Sequence, residues 1–330
     1  MRRFAVAVCA LAVLAGCGEK VDVLRPKTER QFTVMLDYFP NADHAPIYAA
    51  QARGYFKAAG LDLKVRAPSD PAAPIKQVAA GRVDLAVSYE PEVLRARSSG
   101  LHVVAVGALV RTPLTSIISL PKAKIARPAD LKGKTVGTAG IDYQHAYLQT
   151  ILEHANVPQD SVKERDVGFN LVPALVSGKV DAILGGFWNY EAIDLEQRGK
   201  KPRVIRMDEA GVPEYDELVF VANADAFERS GPLIRRFLNA MRLGAIALKR
   251  HPAAGVDALV KANPDLDRKL QAASVRVTLP WFAPPRHEPY GWQDPKKWAG
   301  FSSWMQDNGL IKEGATGAST NRFLPGVAVG

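Results

Sequence analysis

The segment Ile75–Ala86 returns in outline at Val172–Ile183. No other feature of the chain constrains its fold as much. Each copy is a short apolar helix ended by glycine (Gly81, Gly178), then a basic residue (Arg82, Lys179), then Val-Asp (Val83-Asp84, Val180-Asp181) leading into a buried apolar run. Helix–glycine–strand is a common unit, so one reading is two independent occurrences. The other is a chain of two lobes, each built around the same α/β unit. Asp84 and Asp181 recur in both copies and are read as supports for turns.

The surrounding pattern fits the second reading. Strands are predicted at Phe32–Leu36, Leu61–Val65, Val83–Val87 and His102–Val106, with helices from Pro46 to about Ala59, over 71–80 and at Glu90–Ser98. The pattern restarts with strands at Lys134–Thr138 and Val180–Leu184 and helices at Tyr143–Ala155 and Leu171–Ser177. Strands alternating with helices at this spacing imply an α/β fold, each lobe a mostly parallel sheet flanked by helices. A strand at Leu218–Ala222 and helices near 232–249 and 253–262 return to the first lobe. Asp294-Pro295 opens a last helix whose Trp298, Phe301 and Met305 stripe reads as core. Lobe 1 is therefore assigned to 31–112 and 215–330, and lobe 2 to 113–214.

Arg2 and Arg3 followed by the apolar run Phe4–Leu14 fit a secretory signal, because about 20 apolar residues are needed to span a bilayer. The run ends in Leu14-Ala15-Gly16-Cys17, which suits a lipoprotein signal over 1–16. Cys17 would then be lipidated and hold the chain to a bacterial membrane through a polar tether, 17–30. The chain has two cysteines, Cys9 and Cys17. Removing the signal leaves one, which excludes an intramolecular disulfide and a cysteine-based metal site. The formal charge is +9, or +7 without Arg2 and Arg3. Its lysines and arginines are scattered, so the charge reads as a solvated basic face and not as a nucleic-acid surface.

In open parallel sheets ligands sit beyond the carboxyl ends of the strands. The residues there include Asp37, Tyr38, Asn41 and His44 after the first strand, Ser88, Tyr89 and Glu90 after the third, and Phe187, Trp188, Asn189, Tyr190 and Glu191 after Gly185-Gly186. Trp188, Asn189 and Glu191 are the favoured ones of the last set. Three strand ends thus supply aromatic rings with amide, hydroxyl or carboxylate groups, a set suited to a flat neutral or cationic heterocycle. Bland alternatives stand beside each. Tyr38 and Tyr89 also read as ordinary half-buried tyrosines, His44 as a helix cap, and Glu191 as a cap or a solvated acid. There is no G-x-S-x-G elbow, P-loop, G-x-G-x-x-G after a strand or H-E-x-x-H. No cofactor or metal is implied, and a binding role is expected rather than catalysis.

The segments Leu36–His44, Gly54–Leu61, Val167–Leu175, Gly185–Glu191 and Gly211–Val219 carry a resemblance. They are similar to the thiamin-precursor binding proteins of the NMT1/THI5-like family, within a broader group that includes sulfonate and nitrate binding proteins and the yeast pyrimidine-precursor synthase. The resemblance covers roughly 32–250. It implies a two-lobed type II periplasmic-binding-protein fold, acting as a monomer with an ABC permease and ATPase as partners. The implied ligand is a 4-amino-2-methylpyrimidine, stacked on Tyr38 and Trp188, with Glu191 and Asn41 at its polar edges. Tyr38 stands where relatives often carry tryptophan, so a riboflavin-like heterocycle stays open. An alkanesulfonate, taurine or nitrate would want arginine or helix N-termini at the strand ends, where Asp37, Asp43, Glu90 and Glu191 stand instead, although Arg111 is nearby. The synthase has a cysteine-rich segment where this chain has Pro213–Glu217.

Overall fold

The structure, a computed structural model, describes residues 29–283, 287–312 and 316–327. The signal, Cys17 and most of the tether lie outside these residues. The chain begins with β1 (Arg30–Met35), α1 (Ala45–Ala52), α2 (Tyr55–Ala58), β2 (Leu61–Arg66), α3 (Ala73–Ala79), β3 (Leu85–Ser88), α4 (Glu90–Ser98) and β4 (Val103–Val110). It then crosses to β5 (Thr115–Ser119), β6 (Thr135–Thr138), α5 (Asp142–His154), β7 (Lys163–Asp166), α6 (Leu171–Val176), β8 (Ala182–Phe187), α7 (Glu191–Gln197) and β9 (Arg203–Arg206). A second crossing returns it to β10 (Leu218–Asn223), α8 (Phe227–Arg250), α9 (Pro252–Ala262), α10 (Arg268–Thr278) and α11 (Pro295–Asp307).

Two five-stranded sheets result, ordered β2-β1-β3-β10-β4 and β7-β6-β8-β5-β9. In each, four strands run one way and the fourth in the order, β10 or β5, runs against its neighbours. The lobes are thus copies in topology, and the repeated Val-Asp shows why. Asp84 Oδ2 accepts from Thr33 N at 2.7 Å while its own N–H donates to Thr33 O. Asp181 Oδ2 likewise accepts from Thr135 N at 2.9 Å while its N–H donates to Thr135 O. Each aspartate ties the chain entering the central strand to the adjacent parallel strand, where the sequence suggested a turn support.

Buried apolar runs make the sheets. All four residues of β3 and all eight of β4 are buried, as expected for strands covered on both faces. Phe32 of β1, Phe56 of α2, Phe220 of β10 and Phe237 of α8 form one ring cluster with neighbouring centroids 5.0–5.4 Å apart. Trp298, Phe301 and Met305 of α11 are buried as the stripe suggested, and Asp294 caps that helix by accepting from Lys296 N. The single helix expected over 46–59 is instead α1 and α2. Gly54 adopts φ 69° between them, a left-handed conformation that interrupts a helix and suits glycine.

The lobes meet at the two crossings, 111–114 and 207–217. Glu217, fully buried, fastens one to the other. Its Oε2 accepts from Leu114 N at 2.6 Å, Thr115 N at 2.8 Å and Tyr215 OH at 3.0 Å, and its Oε1 from Thr115 Oγ1 at 2.7 Å. The C-terminal segment flanks β4, where Ala105 N–H donates to Ala318 O and Thr320 N–H to Ala105 O. Among the described residues, no helix is long and apolar enough to cross a membrane.

Candidate functional site

A narrow cleft separates the lobes at the carboxyl ends of matching strands. Lobe 1 contributes Asp37, Tyr38 and Asn41 after β1, Pro71 after β2 and Tyr89 after β3. Lobe 2 contributes Ala139, Ile141 and Gln144 after β6, Phe169 and Leu171 after β7, and Gly185, Phe187, Tyr190 and Glu191 around the end of β8. The space open to the centre of a water-sized sphere is about 30 Å³. That is room for a water or two, so a six-membered ring enters only if the lobes part or side chains swing.

Asp37 is the polar anchor of lobe 1. It is buried, with Oδ2 accepting from Tyr89 OH at 2.9 Å and Oδ1 lying 2.8 Å from His44 Nε2. His44 Nδ1 accepts from Asn41 N–H at 3.2 Å, which places the ring proton on Nε2, facing Asp37. His44 occupies the position before α1, but its side chain closes the short turn Ala42–His44 instead of capping α1, and it supports a cleft carboxylate. Asn41 lines the cleft, but its side chain serves the turn, accepting from Asp43 N and donating to Phe39 O. Ser88 lies behind the cleft and donates to Glu92.

Glu191 is the acid of lobe 2. Its Oε2 accepts from Phe187 N at 2.7 Å. Burial pushes its carboxyl up to about 7, against the opposing pull of backbone donors. Gln144 fills the wall beside it and accepts from Ala139 N at 2.7 Å. Gly185, at φ 109°, gives Gln144 its room, since a Cβ there would land on the Gln144 amide.

Rings close the mouth. Tyr38 and Phe169 meet edge-on at 4.8 Å across the lobes, and Tyr38 OH donates to Phe169 O at 3.1 Å. Phe39, largely exposed, packs on both rings. Burial raises the Tyr38 hydroxyl far above the ordinary phenol range, with Glu191 adding to the effect, so Tyr38 is a hydrogen-bond donor at any working pH.

Trp188 and Asn189 are placed elsewhere. The Trp188 ring is outside the cleft lining. Its Nε1 donates to Pro113 O at 3.0 Å, and the Arg206 guanidinium sits 4.7 Å from the ring centre. The rings presented to the cleft around the end of β8 are Phe187 and Tyr190. Asn189 is a strut between lobes, with Nδ2 donating at 2.6 Å to Asp43 Oδ1 and also to Thr278 Oγ1. Glu90 faces the back of the crossings, and so does Arg111, which pairs with Glu288. Phe169 and Gln144 are cleft residues that sequence reasoning did not single out, while Phe187 and Tyr190 stood among the strand-end candidates but were passed over for Trp188 and Asn189. Phe169 lay within the family-like stretch Val167–Leu175, the one signal that pointed to it.

Among the described lining residues two carry carboxyl groups and none is basic. The cleft is thus built for hydrogen-bond donors or positive charge between aromatic walls.

Fold and cleft together define a two-lobed periplasmic-binding-protein architecture. The solved alkanesulfonate-binding protein SsuA from Xanthomonas axonopodis pv. citri, bound to MOPS, shares this fold with a TM-score of 0.68 at 19% identity, covering 89% of this chain and 99% of that one. The chain belongs to the NMT1/THI5-like family, whose model matches residues 41–255. It is 36% identical over 284 residues to the formylaminopyrimidine-binding protein of Halalkalibacterium halodurans, covering 85% of this chain and 86% of that protein. It is also 26% identical to the 4-amino-5-hydroxymethyl-2-methylpyrimidine phosphate synthase of Legionella pneumophila, over 76% of this chain and 79% of that one.

Proposed function

We propose that this chain is an extracytoplasmic solute-binding lipoprotein, anchored through Cys17, that captures an aminopyrimidine thiamin precursor and delivers it to an ABC importer. The observation that carries the ligand class is the pairing of Asp37 and Glu191 across an aromatic cleft without a basic lining residue. A 4-aminopyrimidine offers an exocyclic amine beside a ring nitrogen. A carboxyl group whose pKa lies near 7 can meet that edge in either protonation state, donating to the nitrogen or accepting from the amine. Glu191 takes that role, and Asp37, held by His44 and Tyr89, accepts from the substituent on the opposite lobe. Tyr38, Phe169 and Phe187 cover the faces of the ring. The relative named for binding formylaminopyrimidine supports this choice.

Catalysis is not part of the proposal. The stretch compared above with the synthase's cysteine-rich segment forms part of the second crossing, where Glu217 holds backbone and Tyr215 makes contact with it. A sulfonate or nitrate is disfavoured because Arg111, the nearby guanidinium, faces away from the cleft and pairs with Glu288.

Calorimetric titration of the leaderless protein tests the proposal, using aminopyrimidine thiamin precursors, thiamin, riboflavin, taurine and nitrate. Saturable binding of the pyrimidines is expected. Glu191→Gln should weaken it by about 1–3 kcal/mol, the worth of a buried hydrogen bond to a charged or near-charged group. Binding of taurine or nitrate in place of the pyrimidines would overturn the ligand assignment.

A further inference from the structure

On the opposite side of the crossings from the cleft lies a second cavity, of about 260 Å³. Its lining draws on both crossings, with Arg111 and Thr112 from the first and Glu214, Tyr215 and Asp216 from the second, and is closed by Glu90, Trp281 and Trp292 among others. The charges around it do not cancel. Arg111 pairs with Glu288 and Lys297 with Glu214, each at 2.7 Å, on the more open side. Among the described residues Glu90, Asp216 and Asp294 form no ion pair, although Arg111 and Lys297 both act on Asp216 through space and Lys297 acts on Glu90. Asp294 is spent on capping α11, and Asp216 Oδ2 accepts from Trp298 Nε1 at 2.8 Å.

Glu90 is the unusual member. It is 1% exposed, and its Oε2 accepts from Asp216 N at 2.7 Å. Its Oε1 has no hydrogen-bond partner among the described residues. A buried carboxyl oxygen left unpaired is unfavourable unless a donor reaches it. Two indole rings line the same space, one of them, Trp281, 40% exposed. Indole faces attract cations lying within about 6 Å of them.

We infer that this cavity is a second ligand site, taking a small organic cation whose primary ammonium donates to Glu90 Oε1 while its carbon chain lies against Trp281 and Trp292. The groups facing that ammonium are Glu90, Asp216 and Asp294, with Arg111, Lys297, Glu214 and Glu288 around the opening. Burial, then the neighbouring Asp216, pushes the Glu90 carboxyl well above the usual range. An incoming ammonium favours the ionised form, so binding transfers the Glu90 proton to buffer.

The test is calorimetric titration of the leaderless protein with n-butylammonium chloride. Tetramethylammonium and sodium chloride at equal ionic strength serve as controls, and two buffers of different ionisation enthalpy report the proton. Saturable heat with butylammonium is expected, with net proton release and at least tenfold weaker binding in Glu90→Gln. No saturable heat, equal binding of tetramethylammonium, or unchanged affinity in Glu90→Gln would overturn the inference. Should Glu90→Gln fail to fold, the indole N–H resonances of Trp281 and Trp292 in the wild type decide. Both must move with butylammonium, and resonances that stay still at saturation refute the site. Aminopyrimidine titration of the same samples keeps the two proposals apart, because Glu90→Gln leaves the cleft residues untouched.

Discussion

Glu217 offers the sharpest test of how the lobes are joined. Replacing it with alanine strands the N–H groups of Leu114 and Thr115, whose residues are fully buried. Each orphaned buried donor is unfavourable by about 1–3 kcal/mol. The Thr115 and Tyr215 hydroxyls also lose their acceptor but can rotate toward another, so the expected loss is about 3–5 kcal/mol. That is a large fraction of the roughly 5–15 kcal/mol that holds a folded protein together. Glu217→Gln is a different perturbation. Its amide oxygen can take the Oε2 position, where three donors converge, and its NH₂ then faces Thr115 Oγ1, which can turn to accept. Glutamine should therefore lose only about 1 kcal/mol. Urea unfolding of both variants, read by tryptophan fluorescence, gives the two values. Alanine and glutamine within about 1 kcal/mol of each other would mean that the stranded backbone donors are solvated or repaired locally, and that Glu217 does not fasten the lobes.

Other predictions concern the cleft. Gly185→Ala should reduce aminopyrimidine affinity at least tenfold by calorimetry, because the new Cβ displaces Gln144 and the backbone there is left-handed. Trp188→Phe should leave affinity within twofold while losing about 1 kcal/mol of stability from the Pro113 bond, whereas Tyr38→Ala should weaken binding at least tenfold. Burial places the Asp43, Glu92 and Glu191 carboxyls at about 7, above their unfolded values of 3.8 and 4.5. The folded protein therefore holds protons that the unfolded chain releases, and this contribution is full below about pH 4 and fades as pH rises through 7. Thermal unfolding of Glu191→Gln should depend less on pH than wild type between pH 5 and 8.

Much of this architecture was legible because the relevant signals are local. Gly81 and Gly178 end helices, Val-Asp starts a central strand in both lobes, and apolar runs such as Leu85–Val87 mark buried strands. β7 was invisible because Lys163–Asp166 is polar and all four residues are exposed, so neither hydrophobicity nor alternation separates it from a loop. With β7 missed, its carboxyl end was missed too, and with it the approach of Phe169 to Tyr38. The β5 strand, Thr115–Ser119, mixes buried hydroxyls with isoleucines and depends on Glu217 a hundred residues away. Trp188 fell to phase. Side chains alternate along a strand, and Gly185 and Phe187 share the cleft face, which turns the indole elsewhere. Sequence identifies an aromatic pair after two glycines but does not say which ring points inward.

The order in which strands join each sheet has a consequence for how the chain folds as it is made. Lobe 2 is continuous, with β5 to β9 all lying between the two crossings, so its sheet is complete as soon as that stretch has emerged. Lobe 1 is not. β3 and β4 have no bond to each other and wait for β10 to pair with both. A chain emerging from its N-terminus thus exposes the open edges of β3 and β4 while the whole of lobe 2 is still arriving. Such unpaired edges invite aggregation. The half of the molecule made first is the half that must be finished last, and a chaperone would find its substrate there.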